Sequence, residues 1–335
     1  MRIALVFGVA AGIALSQGII TTVVGTDGIF QDAGLPATQA RIGHPEGIAV
    51  AADGTVFFAD VDNFQIFKVS GDGIIRLVAG NGIRGTSGDD GPATGASLSL
   101  PVGLALDAAG NLFFVDGSRV RKVTPGGIIT KVAGGGSALG DGGPATAANL
   151  TTPRGLALDT AGNLYIADQF NRRIRKVTPD GIIQTIAGNG GSGGTGDGGP
   201  ATAATFNVPS GVTVAPNGDV FVADNGSITT GVAPGLRKIS AADGTISSIA
   251  TLFASSVHIG ANGLLYVTSS NQVLTFTTSG TRQVVAGTGS DFGGDGGSAL
   301  AANLSLPRDS APTPDGGFYI SDYGNFRIRR VSPGG

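Results

Sequence analysis

The chain has 335 residues, among them 59 glycines, 16 prolines and no cysteine, and its 21 basic and 24 acidic side chains leave a net charge of −3. Charge this sparse and balanced excludes the basic surface that a nucleic-acid backbone needs, and the lack of cysteine excludes disulfides and thiolate metal sites. Hydrophobic residues make up 41% of the chain, enough for a large core, so glycine without a three-residue period marks many tight turns in a β-rich protein. Glu46 is the only glutamate among many aspartates, a bias towards turns over helices.

In chain order, residues 1–16 carry Arg2, an apolar run from Ile3 to Leu15 and a small-residue Ala14-Leu15-Ser16 end before Gln17. This reads as a secretory signal peptide. A membrane anchor is the competing reading, but glycines interrupt the run and it falls short of a comfortable span. Residues 17–335 are then expected as one domain, secreted or periplasmic, with no stable membrane insertion after cleavage.

Ile19–Gly25 is a β-rich run, followed at 32–38 by DAGLPAT. That heptapeptide returns as GDDGPAT at 88–94, GDGGPAT at 140–146 and 196–202, and GDGGSAL at 294–300. Between the copies lie units of about fifty residues, each with four short β-branched or aromatic runs separated by turns. In the third unit the runs are GLALD, NLYIAD, RIRKVT and IIQTIAG. The second run of each unit ends at Asp60, Asp116, Asp168, Asp224, Thr268 and Asp322, giving six units. Unit four carries an insertion, Asn225–Leu236, and unit five (253–287) lacks both the heptapeptide and the Pro-x-Gly entry. Unit six stops one run short, and Ile19–Gly25 matches the missing one. The expected fold is all-β: a six-bladed β-propeller of four-stranded antiparallel blades, closed by the N-terminal strand completing the last blade, which leaves no open edge.

The runs P-x-G-[IL]-A-[VL]-D, G-N-L-[YF]-[IV]-A-D and N-x-R-I-R-K-V-x-P-D-G resemble those of NHL-repeat propellers, over essentially all of residues 18–335. The AGNG…GDGGPAT extension is similar to the bacterial form of the repeat and to the NHL portion of teneurins. The resemblance implies a binding platform for protein, RNA or small ligand, and occasionally a lyase; charge argues against nucleic acid here.

Four sets of residues are candidates for chemistry. The GDGGPAT loops could cradle phosphate, but proline removes a donor and aspartate repels it; they are expected to turn the chain and start a helix of one or two turns at Pro144, with Leu150 as its apolar foot. Their aspartates, Asp89, Asp90, Asp141, Asp197 and Asp295, are weak calcium candidates, since calcium needs several carboxylates in one place. The recurring Asp60-x-x-Asn63-x-Gln65, Asp168-x-x-Asn171-x-Arg173 and Asp322-x-x-Asn325-x-Arg327 look catalytic, yet recurrence in several blades argues for turns, with asparagine taking the left-handed conformation. The residues entering each innermost strand differ from blade to blade: Glu46, Val102, Arg154, Ser210, Arg308 and Asp309. On them we place the expected ligand-binding site, at the channel mouth and on the face carrying the GDGGPAT loops. His44 and His258, the second read at the position of Leu106 and Leu158, give no three-ligand zinc set, and no cysteine nucleophile is present. The expectation is a monomeric module binding an unknown protein or small ligand on its loop face, with no catalytic residues and no firm cofactor. The alternative is a metal-assisted lyase or hydrolase working from the channel.

Overall fold

The computed structural model describes residues 18–25, 34–226 and 235–334. The expected signal peptide and the middle of the blade-four insertion lie outside the described residues. Among those described are six four-stranded antiparallel sheets, joined in a ring by packing between successive inner strands. The inner strands are Pro45–Val50, Pro101–Leu106, Pro153–Leu158, Pro209–Val214, Ser256–Ile259 and Asp309–Pro312. No helix among the described residues is long and apolar enough to cross a membrane.

Alternation builds each blade. In Leu164–Asp168 and its neighbours, β-branched and aromatic residues point to both faces of the sheet and interleave with the next blade. The apolar clusters therefore lie between blades: Ile48, Phe58 and Phe67 of blade one pack with Val24, Ala311 and Ile328 of blade six.

The ring closes as the sequence predicts. Ile20–Val24 is the fourth strand of blade six, pairing Ile20 with Val331, Thr21 with Arg330 and Thr22 with Arg329. The edge this strand would expose is covered in turn by the last GDGGSAL loop, through Ile20 N–H to the Gly297 carbonyl and Gly296 N–H to that of Ile20.

The same covering recurs in the other loops, and it corrects two expectations. In blade three Gly142 N–H donates to Ile183, Ile183 N–H to Gly143, and Ala145 N–H to Gly181. The glycine-rich half of each loop is thus an edge cover on the outer strand of the following blade, at the rim of the ring rather than at the channel mouth. Only the later half, near Thr151, reaches the inner-strand entry. Nor does Pro144 start a helix of one or two turns: it is extended (φ −60°, ψ 126°) and followed by a single 3₁₀ turn, Ala145–Ala147. The pairing of Pro144 with Ile182 holds the chain extended on one side, and Ala148 (ψ 151°) returns to it on the other. Leu150 is the buried apolar foot.

Candidate functional site

The loop aspartates have a defined partner. In blades two, three, four and six the third strand carries a buried arginine, and each reaches the aspartate of its covering loop: Arg121 to Asp89 at 2.8 Å, Arg175 to Asp141 at 2.8 Å, Arg237 to Asp197 at 2.7 Å and Arg329 to Asp295 at 2.7 Å. Three of these arginines also bind the aspartate ending the second strand, at 3.1–3.3 Å: Arg121 with Asp116, Arg175 with Asp168 and Arg329 with Asp322. Blade one has Phe67 at this position and Ala33 in its loop; blade five has Leu274 and no such loop. Among the described residues, each of these third-strand arginines therefore has a loop aspartate as its partner. The calcium candidates Asp141, Asp197 and Asp295 each serve a buried guanidinium, and the described residues contain no group of three or more His, Cys, Asp or Glu placed to hold a metal.

The Asp-x-x-Asn arrays are turns whose members bind one another. Asn63, Asn171 and Asn325 donate to Asp60, Asp168 and Asp322 at 2.8–2.9 Å. Since the amide is held by the carboxylate, the left-handed residue is the next one along, Phe64, Arg172 or Phe326 (φ 52–55°), not the asparagine. Burial pushes the carboxyls of Asp60, Asp168 and Asp322 above the usual range, against the pull of these donors. Asp224 is pushed furthest, to about 6, by burial only partly offset by the Val208 and Asn207 N–H groups and the charge of Arg237.

At the channel the blades cease to be alike. The Pro-x-Gly glycines let neighbouring inner strands touch: a Cβ on Gly103 would lie 1.8 Å from the Arg154 carbonyl oxygen, and one on Gly155 2.8 Å from the Gly211 Cα. Each of these four inner strands also breaks register with its neighbour just after the proline. Blades five and six pair without a break, and where the others have Gly47, Gly103, Gly155 and Gly211 they have Ser256 and Asp309. His258 pairs with Tyr266, so it holds the position of Ala105 and Ala157, one residue from the expected Leu106 and Leu158. Blade five lost its entry motif, and without that anchor the alignment slips by one.

Sequence reasoning placed Asp309 at the channel but missed Ser256 and the position of His258, which complete a polar wall on blades five and six. Asp309 accepts from His258 Nε2 at 2.8 Å, from Ser310 N–H at 2.9 Å and, through its other oxygen, from Ile48 N–H of blade one at 2.9 Å. Ser256, Thr268 and Ser310 continue the chain, hydroxyl to hydroxyl, at 3.1 and 2.9 Å. Desolvation disfavours a proton on His258, but the charge and hydrogen bond of Asp309 outweigh it and hold the imidazole above its ordinary value. Burial likewise opposes ionisation of Asp309, and the same contact keeps it below the carboxylate range. The missing signal was positional: a polar residue where four blades place glycine.

All five predicted channel residues, Glu46, Arg154, Ser210, Arg308 and Asp309, line one void of about 700 Å³ counted with its open mouth, together with His258. Arg154 binds Glu46 at 2.5 Å, Arg308 Nε stands 4.0 Å from the other Glu46 oxygen, and the Arg308 guanidinium lies over the Tyr323 ring at 4.8 Å. Ser210 is turned into the wall, donating to the Ala254 carbonyl at 3.0 Å. His44 is elsewhere: its ring stacks on Tyr323 at 4.3 Å and its Nδ1 meets Asp62 at 2.6 Å, fastening the turns of blades one and six.

The chain is similar to known proteins along its length. The Teneurin NHL domain family matches residues 83–138 and 136–195, and the NHL repeat matches 206–227. Teneurin-1 of Gallus gallus is 28% identical over 352 aligned positions, spanning 88% of this chain, and Teneurin-3 of Mus musculus is 30% identical over 73% of it. The match spans only 13% and 8% of those two relatives' own lengths. In structure the chain is similar to the gluconolactonase XC5397 of Xanthomonas campestris (TM-score 0.65, 13% identity, 97% of this chain and 93% of that one). It is also similar to virginiamycin B lyase of Staphylococcus aureus (TM-score 0.54, 14% identity, 86% and 94%). At such identities these two speak for the fold alone. Repeat motifs, family matches and six closed blades agree: the chain is an NHL-repeat β-propeller, with repeats of the teneurin NHL kind.

Proposed function

We propose that this propeller is an exported binding module that receives its partner on the channel face. The observation that carries this reading is the contrast between repetition and variation. The turns, edge covers and arginine pairs recur, whereas the inner-strand entries change blade by blade and converge on one open void. Exposed apolar side chains occur at the same end of the blades: Leu100 and Leu306 shortly before inner strands, Phe253 in the approach to blade five, and Phe170 in the turn beside Thr151. Apolar side chains on the face that holds a polar void suit a protein-sized partner with one polar group reaching inward. Export rests on the apolar run of residues 1–16 and agrees with the lack of cysteine.

The test is capture by cross-linking from the host's extracytoplasmic fraction. A partner taken up by the wild type and by Thr160→Lys, at the far end of an inner strand, should be lost with Phe170→Asp and with Arg308→Gln. Equal capture by all four proteins would remove the channel face from consideration. Fractionation with N-terminal analysis tests export: the mature chain should begin at Gln17.

One observation favours the enzymatic alternative. Asp309 orients His258, whose Nδ1 has no protein partner among the described residues and is left to act as a base. Turnover of an ester or lactone, abolished by His258→Gln, would establish it.

A further inference from the structure

We infer that the group received at the channel mouth is a carboxylate, gripped by Arg308 and Arg154 beside the His258 imidazole. The inference rests on the binding reading above and names the ligand chemistry of that site.

Five charged or titratable side chains line the void, and they differ in depth. The cationic ones are forward: Arg308 is 42% exposed, Arg154 32% and His258 24%. The anionic ones are recessed: Glu46 is 12% exposed and Asp309 9%. An entering group therefore meets donors first.

Those donors have capacity left. Asp309 already accepts three bonds, and Glu46 accepts from Arg154. Arg154 spends one N–H on Glu46, while Arg308 Nε is beyond hydrogen-bond distance of it. Both Nη groups of Arg308 are without a protein partner among the described residues. Stacking on Tyr323 fixes the plane of that guanidinium. A planar fork with two free N–H pairs fits the two oxygens of a carboxylate. Glu46 acts as a positioning residue, keeping the two arginines on one side of the mouth.

The imidazole makes this grip sensitive to pH. Of the elements packed on the His258 strand, Pro209–Val214 brings no titratable group; the others bring Asp224, Tyr266 and Asp309. Asp224 is taken up by the Asn207 and Val208 N–H groups, and Tyr266 accepts from Asn262, which leaves Asp309 as the partner of His258. With Glu46 and Asp309 ionised, the mouth is neutral when the imidazole is neutral and carries one positive charge when it is protonated. Carboxylate affinity therefore falls as pH rises through the imidazole's titration, and a bound carboxylate raises that titration in return.

The experiment follows the Cε1–H ring signals, one from each of the two histidines, with His44→Gln to assign them. Succinate, its dimethyl ester and an end-blocked peptide with one glutamate are titrated in at about pH 6, where imidazole responds. Succinate or the peptide should shift the His258 signal saturably and move its titration upwards, while the diester and the His44 signal stay still. A response to the peptide alone assigns the carboxylate to a protein side chain; one to succinate alone assigns it to a small molecule. Arg308→Gln should weaken binding roughly tenfold or more, the loss of a charge-assisted pair. No saturable shift with either carboxylate, or the same affinity in Arg308→Gln, overturns the inference. Capture lost with Phe170→Asp but unchanged in Arg308→Gln would leave the binding face standing without its carboxylate chemistry; capture unchanged in both would remove the binding face itself.

Discussion

Asp295 accepts the N–H of Thr22 at 2.9 Å, tying a loop aspartate to a strand 273 positions earlier, while its other oxygen binds Arg329 at 2.7 Å. One carboxylate thus fastens the closing strand, the last blade and the loop that covers them. Asp295→Ala is expected to lower stability by about 2 kcal/mol, since Arg329 keeps Asp322 but loses one charged partner. Hydrogen exchange should show Ile20–Val24 as protected as the other outer strands in the wild type and less so in the variant. Fast exchange of that strand in the wild type would contradict the closed ring.

Arg175 sits with one face on Asp168 and the other on Asp141. Arg175→Met leaves Asp168 buried without its counter-charge and should cost about 3–5 kcal/mol in urea unfolding. Blade one shows a tolerated alternative: Phe67 in place of the arginine, with Asp60 held by Gly43 and Asn63. Arg175→Phe combined with Asp141→Ala should therefore cost clearly less than the two single changes added. Strict additivity would mean that the pair is not coupled.

Asp224 provides a pH signature. Its carboxyl titrates at about 6 in the folded chain, mainly through burial, against about 4 when unfolded. The folded protein thus holds a proton that the unfolded chain has released, so this group's contribution is complete below about pH 4 and is lost as pH rises to about 6, about 3 kcal/mol in all. Asp224→Asn removes the dependence. Urea midpoints at several pH values should show wild type losing ground to the variant across that window, and parallel curves would refute the assignment.

Two glycines separate packing from backbone conformation. Gly142→Ala, with φ +78° and open space around it, should cost about 1 kcal/mol for the left-handed conformation. Gly103→Ala carries the same backbone term at φ +46° and adds a Cβ 1.8 Å from the Arg154 carbonyl oxygen, so it should cost about 3 kcal/mol or more, the excess over Gly142→Ala measuring the close approach of two inner strands. Equal thermal shifts would show that the inner ring is looser than its geometry.

Blade number, four-strand composition and ring closure could all be read from the repeat, because alternation and turn residues act locally and recur six times. The convergence of Glu46, Arg154 and Arg308 could be read too, since variation on a fixed scaffold marks them. Two things could not. The loop aspartates looked like ligands because their guanidinium partners lie over thirty positions away, Arg175 from Asp141 being 34. The partners that Ser256 and His258 bring to Asp309 were hidden because they occur only where the repeat fails, and register there depends on pairing between strands rather than on motif.

Closure by the first strand also has a kinetic side. The backbone N–H and the hydroxyl of Ser332 both donate to the backbone carbonyl of Ile19, 313 positions away. On a ribosome the strand at 20–24 would emerge well before its partner at 327–331 and wait for it until everything between had been made. Blades one to five can assemble on local contacts, and the slow step left to them is finding an edge that has been exposed all along.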